Sequence, residues 1–275
     1  MNRSDLRFLF LKLNIWLCLT ALLMVVATAV ALSIPLSSIG YGLVLPSLLF
    51  FFIYTEERRN VSPEDWINHP RRTRQVRRYR KPLLVAELMA LALYEGLLLV
   101  EIVDSTGLGL EWFVYGQLPL AVLMAYGTLK KRPMFDSIAV GCTWASAIVF
   151  SVLVSTGQPM SASAVIVFAA WFIIVFAGVE SRNAQDVDGD TATDKTTLAG
   201  YLGTRKTSIV EAVLKAVGVL VFWWVSGPLA ASIVVVYIVA LRAFRTMTRR
   251  EDERWDSNSS FSIASTGSSH HRSVE

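Results

Sequence analysis

The chain has 275 residues, of which 53% are hydrophobic and 17% charged, and it carries a formal net charge of +4. Mean hydropathy is +0.48, and the charges fall in clusters between long apolar stretches. This is membrane composition, and it excludes an ordinary soluble domain that hides its apolar residues in one core.

A helix that crosses a bilayer needs roughly 20 mostly apolar residues, because no water is present there to satisfy a bare backbone. In chain order the apolar stretches predict spans at Phe10 to Ile34, Ile39 to Tyr54, Pro82 to Val103, Trp112 to Leu129, Asp136 to Thr156, Ala162 to Glu180, Ser208 to Val225 and Pro228 to Phe244. The expected fold class is an all-α integral membrane protein, a bundle of about eight transmembrane helices. For the first span the alternative is a cleaved leader, since Arg3, Arg7 and Lys12 precede an apolar run containing Ala27-Thr28-Ala29. That run is longer than a leader needs, and further spans follow it.

Lys and Arg accumulate in cytoplasmic loops, so their positions predict orientation. The connection from Thr55 to Lys81 is rich in Arg, the next basic groups are Lys130, Lys131 and Arg132, then Arg182, Lys195, Arg205 and Lys206, and finally Arg242 to Arg254. The turns around Pro35, Thr106, Gly157 and Gly227 contain none. Basic and bare connections alternate, which predicts a multi-pass protein of the cell membrane with both termini cytoplasmic. The cations beside the spans are explained by anionic head groups and topology, and no nucleic-acid partner is expected.

Residues 1–255 read as one polytopic membrane domain. Residues 256–275 turn to Ser, Asn, Thr, Gly and His, a composition that predicts a disordered cytoplasmic tail. His270 and His271 lie in that tail and read as inert. Cys18 and Cys142 fall inside spans and read as small apolar residues, with no disulfide framework or metal spacing.

The connection after the sixth span concentrates the non-basic polar residues. Asn183, Asp186 and Asp190 are spaced three and four apart, so a helix continuing past the span places them on one face. Clustered oxygen ligands call for a hard cation, and Mg²⁺ commonly binds one or two carboxylates together with substrate phosphates. Arg182 and Lys195 flank the group as candidate ligands for the outer oxygens of a diphosphate, and Gly189 lets the backbone turn between the carboxylates. The bland alternative is a solvated helix cap.

Asn183-x-x-Asp186-x-x-Gly189-Asp190, followed by Thr197-Leu198-Ala199 and Leu202-Gly203, resembles the second aspartate-rich motif of the UbiA superfamily of intramembrane prenyltransferases. Asn183 stands where many members have Asp. Asp65-Trp-Ile-Asn68-His-Pro70-Arg-Arg72 resembles the final part of the family's first motif, with Glu57-Arg58 where Asn-Asp is usual and Val61 where the middle Asp is usual. Tyr126-Gly-Thr-Leu-Lys130-Lys-Arg is similar to a third family stretch. The three resemblances occur in the family's order.

The resemblance implies a bundle, usually of nine spans, around a central cavity open laterally to lipid and capped by the two acidic loops. It implies Mg²⁺-dependent transfer of a prenyl group from a prenyl diphosphate to a lipophilic acceptor, an activity that transfers alkyl or aryl groups other than methyl. Asp65, Asp186 and Asp190 are the implied catalytic residues, and with Asn183 they are the implied metal ligands. Asn68, Arg72, Tyr126, Lys130, Arg182 and Lys195 are the implied diphosphate ligands. Trp144, Trp171 or Trp223 is expected to face an allylic cation. Glu87 and Glu95 are expected either to take a proton from the acceptor or to pair with Lys215 or backbone groups. Other readings are a UbiA-like terpene cyclase, a binding or scaffold protein that lost catalysis with its first motif, and a small transporter.

Overall fold

The computed structural model describes residues 10–11, 15–61, 66, 70–104, 108–129, 135–184 and 197–267, with the side chains of 70–71, 126–129 and 249–267 outside the description. The regular structure among the described residues is entirely helical, with no strand. The helices are α1 (Ile15–Ala31), α2 (Leu45–Arg59), α3 (Pro70–Arg78), α4 (Arg80–Asp104), α5 (Glu111–Gly116), α6 (Leu118–Leu129), α7 (Phe135–Thr156), α8 (Ala162–Asn183), α9 (Leu198–Leu202), α10 (Thr204–Ser226) and α11 (Pro228–Gly267).

Five of these are long and apolar enough to cross a bilayer: α4, α7, α8, α10 and residues 228–248 of α11. The described part of apolar α1, residues 15–31, is shorter. The second and fourth expected spans differ from the sequence reading, and each difference has a local cause. Residues 39–44 form tight 3-10 turns instead of the start of a span. Gly40 there takes a positive φ of 54°, and Gly42 N–H donates to Glu101 Oε1 of α4 at 3.0 Å. Helix α2 therefore begins only at Leu45, with Pro46 in its first turn, where a missing N–H costs nothing.

The fourth stretch is broken at Gln117 into α5 and α6. Pro119 has no N–H to return to α5. The break is held by Tyr94 Oη donating to Gly116 O at 2.8 Å and by Gln117 Nε2 donating to Glu95 at 2.9 Å. Past the bilayer-length part of α11, helix continues through residues 256–267, inside the segment whose composition predicts no order of its own. Elongation adds one hydrogen bond per residue fixed, so a helix nucleated by an apolar segment propagates readily.

The helices pack as a ring in chain order. Helix α1 lies on α2, α2 on α4, α6 on α7, α7 on α8, α8 on α10 and α10 on α11, and α11 returns to α1. Helix α7 is the most enclosed spanning helix and α10 the least. Small residues allow the close approaches, as hydrophobic attraction between helices is weak in lipid. Ala21, Ala27, Ala145, Ala164 and Ala177 have no exposed surface, and Gly218 of α10 lies directly against Ile174 of α8. On α10 the residues Ile209, Val213, Val217, Leu220 and Trp224 remain exposed in one stripe, as a lipid-facing surface requires.

Candidate active site

The last turns of α2 and α8, which carry motif residues, come together at one end of the bundle beside α7. Tyr54, one turn from the end of α2, accepts a hydrogen bond from Trp144 Nε1 of α7 at 3.1 Å. The Trp144 ring stacks on Phe50, with centroids 3.9 Å apart. Tyr54 also lies within electrostatic reach of Arg58 and of Arg182 at the end of α8. Helix α6 ends at Leu129 and α7 begins at Phe135, so the connection carrying Lys130 leaves from the same end.

The two stems of the second acidic segment are joined by Glu180. Its side chain is 1% exposed; Oε1 accepts from Ser137 Oγ of α7, and Oε2 accepts from the Leu198 N–H at 3.1 Å. Asn183 is 5% exposed and donates Nδ2–H to Ser137 Oγ at 3.3 Å. Beyond the segment, Thr197 caps α9 by accepting from Gly200 N–H at 3.2 Å. Gly203 then turns the chain into α10 with a φ of +80°, a conformation that favours glycine. On α11, Arg245 donates to Gly178 O of α8 at 2.7 Å.

Around the first motif, Trp66 packs beneath the Arg77 guanidinium, 4.8 Å from ring centroid to Cζ, a cation–π contact that ties the residue after Asp65 to α3. Arg59 at the end of α2 donates to Glu87 of α4 at 2.8 Å and also bonds Glu56. Burial works against the Glu56 carboxylate, but the hydrogen bonds it accepts, those from Arg59 and Asn60 among them, outweigh it and hold its carboxyl below the usual range.

Lys215 is not the partner of either carboxylate in α4. It pairs with Glu211 one turn away, while Glu87 takes Arg59 and Glu95 takes Gln117. The nearest group along the helix wins because an i,i+4 pair needs no tertiary rearrangement. The three tryptophans also separate. Trp171 is sealed in the core, donating to Thr28 Oγ1 at 2.8 Å between Phe222 and Tyr237. Trp223 is 58% exposed on the outer surface. Trp144, buried at 4% exposure, is the one of the three bonded to Tyr54.

Of the implied ligands, Arg182 and Asn183 stand at the end of α8 and Arg72 is half-buried on α3. Tyr126 is on α6 with its side chain outside the description, and Asp65, Asn68, Lys130, Asp186, Asp190 and Lys195 lie outside the described residues. Among the described residues no group of three or more His, Cys, Asp or Glu gathers to hold a metal. The donor chemistry nevertheless fits a hard cation. The Asn183 amide nitrogen is committed to Ser137, which leaves Oδ1 as its ligating atom, and the other implied ligands are carboxylates. A separate apolar cavity of about 340 Å³ lies toward the opposite end of the bundle, lined by Tyr94, Trp112, Phe150, Met160 and Phe168 among others.

Sequence reasoning missed Glu180, Ser137, Tyr54 and Arg245. The one available signal was Thr197, a helix N-cap residue type directly before Leu198.

Comparison with known proteins agrees with this arrangement. A solved structure described as a UbiA homolog from Archaeoglobus fulgidus bound to DMAPP and Mg²⁺ superposes with a TM-score of 0.51 at 16% identity, covering 90% of this chain and 88% of that one. No curated protein sequence matches. The family model for the UbiA prenyltransferase family matches residues 64–265, most of the chain and both acidic segments. The chain belongs to the UbiA prenyltransferase family.

Proposed function

We propose that this protein transfers a prenyl group from a prenyl diphosphate to a lipophilic acceptor within the membrane. The observation that carries the reading is that the last turns of α2 and α8 come together, Tyr54 lying within electrostatic reach of Arg182 and bonded to Trp144 of α7, beside the stems of the second acidic segment. A prenyl diphosphate has an apolar tail suited to a lipid-embedded bundle and an anionic head suited to the cationic helix ends. The bound DMAPP and Mg²⁺ of the Archaeoglobus homolog support the same substrate class and metal. In this reading the bundle encloses a central cavity open laterally to lipid, and the motif-bearing end and both termini face the cytoplasm.

Asp65, Asn183, Asp186 and Asp190 would hold Mg²⁺, which when bound would supply positive charge to the diphosphate leaving group. Arg72 and Arg182 would take outer oxygens of the diphosphate, with Lys130 and Lys195 as point charges. Asn68 and Tyr126 add hydrogen bonds that orient the head. Trp144 has one face covered by Phe50, and its other face stabilises the allylic cation. Glu87, buried against Arg59, holds α2 to α4 and stays out of the proton transfer.

The test is transfer from radiolabelled DMAPP and longer prenyl diphosphates to membrane lipid extracts, using protein in lipid nanodiscs. Transfer is expected to need Mg²⁺ and to disappear in Asp186→Ala and Asp190→Ala; undiminished transfer in both variants overturns the proposed site. One observation favours a second reading, binding without cleavage. Arg58, where the first motif usually has an acid, is buried at 4% exposure and brings a cation to a ligand position. DMAPP that binds but is never cleaved at any Mg²⁺ concentration decides for that reading.

A further inference from the structure

We infer that Glu180 is a positioning residue that sets which atom Asn183 presents to the metal, acting through the Ser137 hydroxyl. The inference rests on the proposed prenyl diphosphate site and goes beyond its ligands. Both Glu180 oxygens accept hydrogen bonds, one from Ser137 Oγ and one from the Leu198 N–H. A carboxylate has no proton to donate, so the Ser137 hydrogen is directed at Glu180. The Ser137 oxygen is then left with lone pairs only, and it accepts from Asn183 Nδ2. That bond fixes the amide with its nitrogen toward α7, and the oxygen becomes the free end.

All three groups are buried: Glu180 at 1% exposure, Ser137 at 0% and Asn183 at 5%. Water does not compete for these bonds, and a reversed amide finds no substitute partner at Ser137. Outer partners of this kind hold a ligand's orientation and, when removed, commonly weaken metal binding by about 10–100-fold. Glu180 occupies the turn before Asn183 on the same helix, with Ser137 reaching it from α7. The relay therefore crosses two helices and stays intact only while α7 and α8 remain packed.

Gln at position 180 has the size of Glu but carries an amide that donates. In Glu180→Gln the Ser137 oxygen can accept from Gln, which frees its hydrogen to point at Asn183 and favours the reversed amide. A carboxylate at position 183 has oxygen at both ends, so it is indifferent to the reversal. The double variant Glu180→Gln/Asn183→Asp should regain what the single variant loses.

The experiment measures Mn²⁺ binding by electron paramagnetic resonance with DMAPP present, on full-length protein in nanodiscs, together with thermal melting. Glu180→Gln is expected to weaken Mn²⁺ about tenfold, and Asn183→Asp in that background to restore affinity to within about threefold of the parent. Ser137→Ala, which breaks the relay while keeping the Glu180 carboxylate and its bond from the Leu198 N–H, is expected to show the same loss and serves if Glu180→Gln does not fold. Parental affinity in both Glu180→Gln and Ser137→Ala overturns the role. A loss that Asn183→Asp does not restore marks Glu180 as structural only and also overturns it. A parent protein that binds no Mn²⁺ with DMAPP overturns the metal-dependent reading itself, and the relay with it.

Discussion

The Arg59 guanidinium reaches from the last turn of α2 to Glu87 Oε1 on α4 at 2.8 Å, and the Glu87 side chain is 1% exposed. The pair joins the helix that leads into the first motif to the helix that follows it. Arg59→Met leaves a buried carboxylate without its counter-charge, a loss of about 3–5 kcal/mol. Arg59→Met/Glu87→Leu removes both charges and should recover most of that loss. Unfolding followed by tryptophan fluorescence in mixed micelles measures the difference.

Glu56 gives the same clamp a pH dependence. Its carboxyl is held below the ordinary range in the folded protein, so the unfolded chain takes up more protons as pH falls through the usual Glu value of about 4.3. The stability it contributes is present above that value and is lost as pH falls toward and through the folded one. Glu56→Gln should flatten the acid limb of a melting-temperature profile and leave the profile at pH 7 and above parallel to the parent's.

At the contact between α8 and α10, a Cβ on Gly218 would collide with Ile174 Cγ1 and sit 2.7 Å from its Cδ1. Ile174 is itself buried and has little room to move. Gly218→Ala should cost about 1–3 kcal/mol through overpacking, and Ile174→Ala in the same chain should return part of it. Melting temperatures of the two variants and the double variant provide the check.

Trp144 is the tryptophan bonded to Tyr54, and the proposed mechanism assigns its ring to the allylic cation. Trp144→Leu removes both its stacking on Phe50 and its π face, and single-turnover transfer from DMAPP should slow about 10–30-fold, the loss of about 1.5–2 kcal/mol of cation–π stabilisation. Trp144→Phe keeps a ring and loses the bond to Tyr54, so most of the rate should remain. Equal rates in parent and Trp144→Leu would remove this residue from the mechanism.

The spanning segments legible in the sequence were those whose length alone decides the matter. Helices α4, α7, α8 and α10 follow from apolar runs because a bilayer admits a helix of that length and little else. Residues 39–44 and the break at Gln117 were not legible. They are decided by Glu101 accepting from Gly42 and by Tyr94 donating to Gly116, bonds between residues distant along the chain that leave no periodic trace.

The site divides in the same way. The acidic and basic motif residues announced themselves by chemical type and spacing, and their order matched the family to which the chain belongs. The pairing of Glu87 did not, because Lys215 was one cation among several and only packing of α2 on α4 brought Arg59 to it. Ser137 and Glu180 are 43 positions apart and belong to no motif.

By itself, then, the sequence determined the solvent this protein lives in, the family it belongs to and the residue types of its acidic segments, since hydropathy and motif spacing are local properties. Only the tertiary structure decided which residues come together at Tyr54, which of three tryptophans bonds to it and how Glu180 joins α7, α8 and α9. Those are properties of packing, where one buried hydroxyl or carboxylate must find a partner wherever the fold supplies it.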